Sequence, residues 1–415
     1  MRLIVPGETE AVEEVNEYAK IYYVPAKQSP VFDKRYRILM PWQYMPGGSV
    51  IRKILLDEMP DLIEVTDKYT LSMMGAMIRI GKFKEINRPI LVHFSCERMD
   101  DNIGSFMSKG KLGKWFARRV MGNYNLPSFD YHIANSPYTA DEFFQSAGKS
   151  ENPKRSDWFF NKCWRFFKAP RVPLADRVFV CPRGVDVKQF SPERKSETVR
   201  AEMIEKAKIP ENSVILLYAG RLSPEKNIEL LPEIMKVLAN DEKDYRLLIA
   251  GAGPQEEWLR EETEKHFPGK IIQFGHLDKE TLANYYANCD IFIHPNPREP
   301  FGIAPLEAMA SGVPTVAPNA GGLLSYATDK NMWLCAPEAN EFAAAIREIT
   351  ENPGVSKEKV KNALETAANN TREKSTDFLI ETYDKIFEDF QKRRELFTDI
   401  EESGKFDFVN GFKDS

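Results

Sequence analysis

Two glutamates, Glu299 and Glu307, lie eight positions apart on either side of a proline-rich turn. A helix is expected to begin between them, and its first amides, those of Gly302, Ile303 and Ala304, would attract an anion such as phosphate. An anion-binding turn suits the diphosphate of a sugar nucleotide. The two flanking carboxylates can accept hydrogen bonds from the hydroxyl groups of its two sugars. For the spacing alone, two surface glutamates that flank a turn are the simpler interpretation.

The elements that would position these glutamates can be read from the surrounding sequence. Asp290–His294 is a short apolar run, typical of a buried parallel strand. The loop 295–302 holds three prolines and a glycine, so it continues neither a strand nor a helix. A helix is predicted from Ile303, with Pro305 in its first turn, and Val313–Ala317 is the next predicted strand.

The complete string EPFGIAPLEAMASGVPTVA, residues 299–317, resembles the donor-binding signature of family 4 glycosyltransferases. These are retaining enzymes of the GT-B fold. The resemblance implies that Glu299 contacts the transferred sugar and that Glu307 binds the ribose hydroxyls of the nucleotide. It covers about twenty positions, which makes it far more specific than two carboxylates alone.

A second motif begins about seventy residues earlier, directly after the predicted strand Val214–Ala219. The pattern G-R-L-x-x-x-K resembles the family motif that supplies two cations to the nucleotide diphosphate, here Arg221 and Lys226. Arginine offers paired donors and lysine a mobile point charge. Ser223 and Pro224 predict a helix start at this turn. Surface charges at a helix start are the simpler alternative.

Together the two motifs define a predicted donor site and a predicted catalytic set. Donor binding is assigned to Gly220, Arg221, Lys226, Glu299, Phe301, Gly302, Ile303, Ala304 and Glu307. Catalysis is assigned to Arg221, Lys226, Glu299 and His93.

The first half of the chain alternates apolar runs with amphipathic stretches, which predicts a parallel sheet with crossover helices. The predicted helices include Ser49–Met59 and Thr70–Ile80. The predicted strands are Leu3–Val5, Tyr22–Val24, Leu62–Val65, Ile90–Phe94, Tyr131–Ala134 and Val178–Cys181. Members of the family normally begin with a further strand, a glycine-rich loop and a helix, which this sequence does not show before Leu3. We therefore expect an N-terminal domain that lacks this opening, and a misassigned start site is the alternative.

The acceptor side is less clearly marked. The family usually has a histidine in the loop after a central strand, and His93 is the candidate, although Phe94 separates it from the serine that normally follows directly. A histidine packed in the core is the alternative. Glu97 and Arg98 are candidate acceptor contacts.

Two segments mix basic and aromatic residues: Lys109–Val120 and Lys154–Arg171. Such segments can lie in an anionic membrane interface, and some relatives use a face of this kind to reach lipid-linked acceptors. Ordinary helices with solvated lysines are the alternative. The segments could also bind a phosphorylated acceptor.

Composition limits the class of protein. With 415 residues and a net charge of −5, the chain has the length of two or three domains and no excess of positive charge for general nucleic-acid binding. The start has too short an apolar run for a signal peptide, and no window reaches the length of a membrane span. Five scattered cysteines without C-x-x-C spacing indicate reduced thiols, no zinc site and a cytoplasmic location, with peripheral membrane contact as an option.

The sequence thus predicts an α/β protein with two Rossmann-like, doubly wound domains that face each other across a cleft. We expect an acceptor domain at 1–185, a donor domain at 186–374, a helix at 375–396 that packs back across the domains, and a mobile tail at 397–415.

The predicted reaction moves a hexose, with retention, from GDP-mannose or a UDP-hexose to a hydroxyl of a glycan, lipid or polyol. No D-x-D triplet occurs in the chain, which favours a mechanism without metal or other cofactor. A nucleotide-sugar epimerase, a phosphorylase on the same fold and a non-catalytic nucleotide-sugar binder are the alternatives.

Overall fold

The computed structural model of the chain describes residues 1–29, 37–106, 111–148, 153–398, 406–407 and 411–412. For Phe106, 153–157, 406–407 and 411–412 only the backbone is described. The predicted mobile tail, 397–415, therefore lies for the most part outside the described residues. The described residues form two compact units, the first from 1–134, 139–180 and 381–415, and the second from 135–138 and 181–380.

The second unit contains a six-stranded parallel sheet. In spatial order its strands are Ile271–Gly275, Tyr245–Ala250, Val214–Ala219, Ile291–Ile293, Thr315–Pro318 and Trp333–Cys335. This order, third-second-first-fourth-fifth-sixth, reverses direction between the first and fourth strands, as in dinucleotide-binding folds. The three strands of this sheet that were predicted above, Val214–Ala219, Asp290–His294 and Val313–Ala317, are confirmed, the last two with bounds shifted by one or two residues.

Helices cover both faces of this sheet, because alternate side chains of each buried strand point to opposite faces. In the central strand, Leu217 belongs to one hydrophobic cluster and Leu216 to another. The helices of this unit are Glu197–Ala207, Leu230–Leu238, Glu256–His266, Lys279–Asn288, Ile303–Ala310, Ala339–Glu351 and Pro353–Asn369.

The first unit contains a four-stranded parallel sheet with the strands in chain order: Leu62–Val65, Ile90–Ser95, Tyr131–Ala134 and Val178–Val180. Its helices are Val50–Glu58, Ser72–Arg79, Met99–Phe106, Lys111–Val120, Pro137–Ala147 and Pro153–Phe166. Met121–Asn125 and Leu126–Ser128 continue the helix that starts at Lys111. All four predicted strands of this sheet are confirmed.

The first two predicted strands belong to a different sheet, which corrects the expectation of one parallel sheet. Arg2–Gly7 and Ala19–Pro25 are strands, but they pair with each other, and the intervening strand Ala11–Asn16 runs antiparallel to the second of them. A helical crossover between parallel strands needs a dozen or more residues. Between Arg2–Gly7 and Ala19–Pro25 the chain has eleven residues, of which 8–10 and 17–18 form turns around the strand Ala11–Asn16. A hairpin strand is the connection that fits.

The remaining elements are short, except for the last long helix. Lys27–Gln28 pairs with Arg37–Ile38, and Phe406–Asp407 pairs with Gly411–Phe412. The helix Arg372–Lys392 starts in the second unit and ends in the first, and Arg394–Thr398 follows it. All five cysteines are free thiols. Within the described ranges we find no helix that is both long and apolar enough to cross a bilayer.

Candidate active site

The predicted donor residues lie in the loops after two neighbouring central strands of the second unit. Arg221 and Lys226 follow Val214–Ala219, and Glu299 follows Ile291–Ile293. These strands flank the point where the strand order reverses. In open α/β sheets ligands bind at this point, outside the carboxyl ends of the strands. The fold therefore gathers residues that are more than seventy positions apart in the chain.

The loop after the first of these strands is a single 3₁₀ turn, Pro224–Lys226, and the α-helix begins only at Leu230. The predicted helix start at Ser223 is thus the start of this 3₁₀ turn, with Ser223 at its N-cap position and Pro224 first, and not the start of the α-helix. The Ser223 hydroxyl donates to the carboxylate of Glu225 instead of capping a helix. Asn227 then adopts a left-handed conformation with φ of 55°. A serine followed by an acid two residues later can make this local bond, which competes with the cap.

Arg221 is held close to this turn. Its guanidinium lies 3.8 Å from the Glu225 carboxylate, and its carbonyl accepts a hydrogen bond of 3.0 Å from the Tyr218 hydroxyl. Gly220 lies against Gly251 of the next strand-to-helix turn, where an added Cβ would stand 1.8 Å from the Gly220 carbonyl oxygen. This close approach explains the glycine at 251.

Glu299 is the centre of the site. Its Oε2 lies 2.8 Å from Lys226 Nζ, 2.9 Å from Asn296 Nδ2 and 3.4 Å from His294 Nε2. Its side chain is 12% exposed. Burial alone would raise the pKa of this carboxyl, but Lys226 and His294 outweigh it and hold the pKa below its ordinary value. Glu299 is therefore ionised and fixed at physiological pH.

The helix Ile303–Ala310 starts after a tight turn at Gly302. Gly302 has φ of 90°, and its carbonyl accepts a hydrogen bond from the Tyr326 hydroxyl. An added Cβ would stand 2.8 Å from that hydroxyl, so only glycine fits. The first amides of the helix, at Ile303 and Ala304, have no carbonyl one turn earlier in the helix to bond to. They can donate to an anion, as predicted from the sequence.

Glu307 projects from the same helix and differs from Glu299 in its electrostatics. Burial raises its pKa to about 7, although the Tyr286 hydroxyl, 3.3 Å from Oε2, and Lys279 act in the opposite direction. The two carboxyls are thus ionised over different pH ranges. Unlike Glu299, Glu307 has no cation in hydrogen-bond contact among the described residues.

The backbone of the loop that carries Glu299 is supported by Gly322 and by Ser136, a residue from the first half of the chain. The Glu299 carbonyl accepts a 2.7 Å hydrogen bond from the Gly322 amide, and a Cβ at Gly322 would stand 1.8 Å from the Pro300 carbonyl oxygen. The Ser136 hydroxyl donates to the same Pro300 carbonyl. Ser136 belongs to the segment 135–138 that groups with the second unit.

Phe301 was predicted to bind the donor, and the structure shows where its side chain lies. Its side chain is buried and packs on the Tyr326 ring, with ring centroids 5.3 Å apart. The side chain therefore supports the turn through the core, and the predicted donor contact of Phe301 stays a prediction.

The predicted acceptor residues of the first unit are more enclosed. His93 lies inside the strand Ile90–Ser95, not in the loop after it, and is completely buried beside His132 and Phe129. Burial, with a smaller contribution from Lys68, lowers its pKa to about 3. The imidazole is therefore neutral, and the structure favours the core interpretation that the sequence left open.

Arg98 is also buried and bonded to neighbouring carboxylates. Glu97, by contrast, is exposed just after the carboxyl end of the strand Ile90–Ser95. The Arg98 guanidinium makes two 3.0 Å bonds to the buried Asp100 carboxylate and a 3.5 Å contact with Asp101. Arg118 approaches the same Asp100 at 3.0 Å. Arg98 thus belongs to an ion-pair network that organises the loop.

Sequence reasoning missed the residues that tune the two glutamates. His294, Asn296, Tyr286 and Tyr326 each contact Glu299, Glu307 or the turn between them. His294 and Asn296 could have been found, since polar residues at the end of a buried strand point into such a site. The two tyrosines come from other elements, and nothing in the local pattern marks them.

Comparison with known proteins finds a family model that matches the part of the chain that holds this site. Residues 199–371 match the family model described as Glycosyl transferases group 1. A GDP-mannose-dependent alpha-(1-6)-phosphatidylinositol dimannoside mannosyltransferase of Mycobacterium tuberculosis is 29% identical over 85% of this chain and 79% of its own length. A GDP-mannose-dependent alpha-mannosyltransferase of Corynebacterium glutamicum is 38% identical over 35% of this chain and 32% of its own length.

Solved structures show the same fold. Sucrose-phosphate synthase from Thermosynechococcus elongatus matches with a TM-score of 0.67 and 19% identity, over 93% of this chain and 88% of that chain. Anabaena HepE in complex with UDP and glucose matches with a TM-score of 0.63 and 19% identity, over 81% of each chain. The predicted α/β fold of the GT-B type is confirmed.

Proposed function

We propose that this chain is a group 1 glycosyl transferase and that it transfers a hexose from a nucleoside diphosphate sugar to an acceptor hydroxyl with retention of configuration. GDP-mannose is the donor we favour, since the relatives described above are named for it, and a UDP-hexose is the alternative. The observation that carries the proposal is the pair of glutamates beside one helix N-terminus at the strand-order reversal.

In this proposal each part of the donor has its own partner. The diphosphate lies on the amides of Ile303 and Ala304 with Arg221 and Lys226 as counter-charges. Glu299 orients the transferred sugar. The Glu307 carboxylate accepts hydrogen bonds from the ribose hydroxyls of the nucleotide.

Catalysis would then be mainly electrostatic. Negative charge develops on the leaving diphosphate in the transition state, and cations and amides fixed in advance stabilise it most. Lys226 is already held in place by Glu299 at 2.8 Å, so little reorganisation is needed. We propose that no metal ion takes part, on the ground that the sequence contains no D-x-D triplet.

The first experiment is calorimetric titration of GDP, UDP, ADP and their sugars. Wild type is compared with Glu307→Ala and with the matched control Glu365→Ala, an exposed glutamate on another helix of the same unit. We expect one nucleotide to bind, with affinity reduced at least about tenfold by loss of a hydrogen bond to a charged group in Glu307→Ala only. Absence of binding to any nucleotide, or equal loss in the control, would contradict the donor site.

We also propose that the acceptor is lipid-linked and is reached at an anionic membrane surface. The helix Lys111–Val120 exposes Leu112, Trp115 and Phe116, and Pro153–Phe166 exposes Trp158, Phe159 and Phe166. Arg119 and Lys162 stand over the exposed tryptophans, 5.2 Å and 4.9 Å from the ring centroids. Exposed aromatics with adjacent cations are typical of interfacial helices. Lys109, at the start of the first predicted segment, lies outside the described residues.

Vesicle co-sedimentation tests this surface. Trp115→Ser and Trp158→Ser should reduce binding to vesicles that contain phosphatidylglycerol. Trp42→Ser should not, because Trp42 is an equally exposed tryptophan of the same unit outside the two helices. Binding that is equal in all variants would contradict the proposal.

A further inference from the structure

A cavity of about 420 Å³ lies in the first unit and is lined by five basic residues. These are Arg79, Lys84, Arg88, Lys168 and Arg394. No aspartate or glutamate is among its lining residues. Three of the cations, Lys84, Lys168 and Arg394, are exposed at the rim, and Arg79 is buried in the wall.

The cavity lies at the edge of the four-stranded sheet opposite to the predicted acceptor residues. Arg88 comes two residues before the strand Ile90–Ser95, and Arg79 ends the helix Ser72–Arg79. Glu97 follows the carboxyl end of the same strand. A strand of six residues spans roughly 20 Å, so the two edges are separate places on the unit. None of the donor or acceptor residues lines the cavity.

The buried wall of the cavity carries more positive than negative charge. Asp130 accepts from Arg79 and from Arg88, the latter at 2.9 Å to both carboxylate oxygens. A third guanidinium, Arg177, donates to the backbone carbonyls of Phe129 and Asp130. Two guanidiniums thus share one carboxylate and a third lies beside it, and among the described residues Arg79 Nε is buried without a hydrogen-bond partner.

The surroundings leave this excess of charge in place. Burial lowers the pKa of Arg79 to about 10, with Asp130 opposing and Arg88 adding to the effect. Burial and the nearby Arg79 lower the pKa of Arg177 to about 9. Glu85, in the same loop as Lys84, is bonded to Arg52 at 2.5 Å. Both Arg79 and Arg177 stay charged at neutral pH, so an anion at the cavity would be stabilised.

The cavity also has an apolar part. Ile78, Phe83, Ile86 and Phe397 line it and are buried. The volume falls in the range of small-molecule sites and is larger than an inorganic anion needs. A ligand that combines a phosphate with a compact organic body would satisfy both the cations and the apolar wall.

We propose that this cavity is a second binding site, for a phosphomonoester, and that it is distinct from the donor and acceptor sites. The phosphate contacts Lys84 and Arg394 at the rim and the partly buried Arg88, and the organic part lies against Phe83 and Phe397. The phosphate can come from a soluble metabolite or from a lipid headgroup, since both offer the same doubly charged group.

The test compares a rim variant with a control in two binding assays. The double variant Lys84→Gln/Arg394→Gln removes two exposed cations and should leave folding intact. Lys53→Gln removes an exposed cation of the same unit that does not line the cavity. The soluble probe is glucose 6-phosphate, titrated by calorimetry. The lipid probe is phosphatidylcholine vesicles with and without phosphatidic acid.

Binding of either probe that weakens about tenfold or more in the double variant, and stays unchanged in Lys53→Gln, supports the site. The probe that binds identifies the source of the phosphate. No binding of either probe, or equal weakening in both variants, overturns the proposal. Nucleotide binding at Glu307 depends on other residues, so the two proposals can fail independently.

Discussion

The charged residues that follow the central strands are used differently in the two units. In the loop after Ile291–Ile293, the Oε2 atom of Glu299 contacts three polar side chains, and the Glu299 side chain stays partly exposed. After Ile90–Ser95, Arg98 and Asp100 are both buried and satisfy each other. Both clusters stand at the carboxyl edge of a parallel sheet, where ligands are expected. Only the first keeps its charges available to a ligand.

The difference shows what position in a fold can and cannot reveal. A residue at the carboxyl edge of a sheet becomes a candidate for function, but its partners decide whether it is free to act. Lys226 and Glu299 neutralise each other on the surface of a turn, whereas Lys68 and Glu142 do so with side chains 1% and 0% exposed. A buried pair has its role in folding, because separating it leaves an uncompensated charge.

Loss of the charges at Glu299 should produce the largest functional effect. Glu299→Gln and Lys226→Ala should each lower kcat with the matched donor about 100- to 1,000-fold, because each removes a fixed charge next to the reacting group. Lys236→Ala, an exposed lysine of the same unit, is the control and should keep full turnover. Near-normal kcat in both site variants would place the reaction elsewhere.

The ion-pair network of the first unit should respond in stability instead. Arg98→Ala leaves the buried Asp100 with Arg118 as its remaining arginine partner and should lower the free energy of unfolding by about 3 kcal/mol, measured by urea titration. Nucleotide affinity in calorimetry should not change. If Arg98→Ala instead raises KM for the acceptor and leaves stability intact, Arg98 is an acceptor contact and the contrast between the units fails.

Glu299 and Glu307 can be distinguished by pH, because their carboxyl groups ionise over different pH ranges. Burial places the pKa of Glu307 near 7, well above that of an unfolded glutamate. Between about pH 4.5 and 7 the unfolded chain releases this proton while the folded chain keeps it, so the folded state loses stability as pH rises. The loss is complete above pH 7 and amounts to about 3 kcal/mol.

Glu307→Gln should therefore match wild type in stability at pH 5 and exceed it at pH 8. The same change should weaken nucleotide binding about tenfold at pH 8, since the ribose hydroxyls lose their charged acceptor. Thermal unfolding and calorimetry at both pH values measure the two effects. Equal stability differences at pH 5 and pH 8 would show that Glu307 titrates outside this range.

In the second unit the elements around the two glutamates were predictable because the motif is long. Strand, proline-rich turn and helix start follow from local composition, and the turn demands glycine at 302, where φ is 90°. The tyrosines that adjust the glutamates were not predictable, since Tyr286 reaches Glu307 from another helix. Such contacts depend on the packing of distant elements, which no local pattern encodes.

The first unit was predictable in its elements but not in its sheets. Period and length identified the strands Leu62–Val65 and Ile90–Ser95. The pairing of Arg2–Gly7 depends on the short turns around Ala11–Asn16, a strand so polar and exposed that its pattern does not indicate burial. The burial of His93 could not be read from the sequence, because burial of one side chain is a property of the whole fold.

His93 offers the finest test of the contrast, with the smallest expected effect. Its ring lies 3.3 Å, Nδ1 to Nδ1, from His132, and its pKa near 3 keeps it neutral throughout the working range. His93→Gln should change kcat less than about threefold and leave the pH profile of kcat unchanged, while the free energy of unfolding falls by about 1 kcal/mol. Phe94→Leu, a half-buried neighbour on the same strand, is the control for general disturbance of the sheet. A hundredfold fall in kcat with unchanged stability would instead mean that the His93 imidazole contacts the transferred sugar. The first unit would then also contribute a buried functional group, and the contrast between the two units would fail.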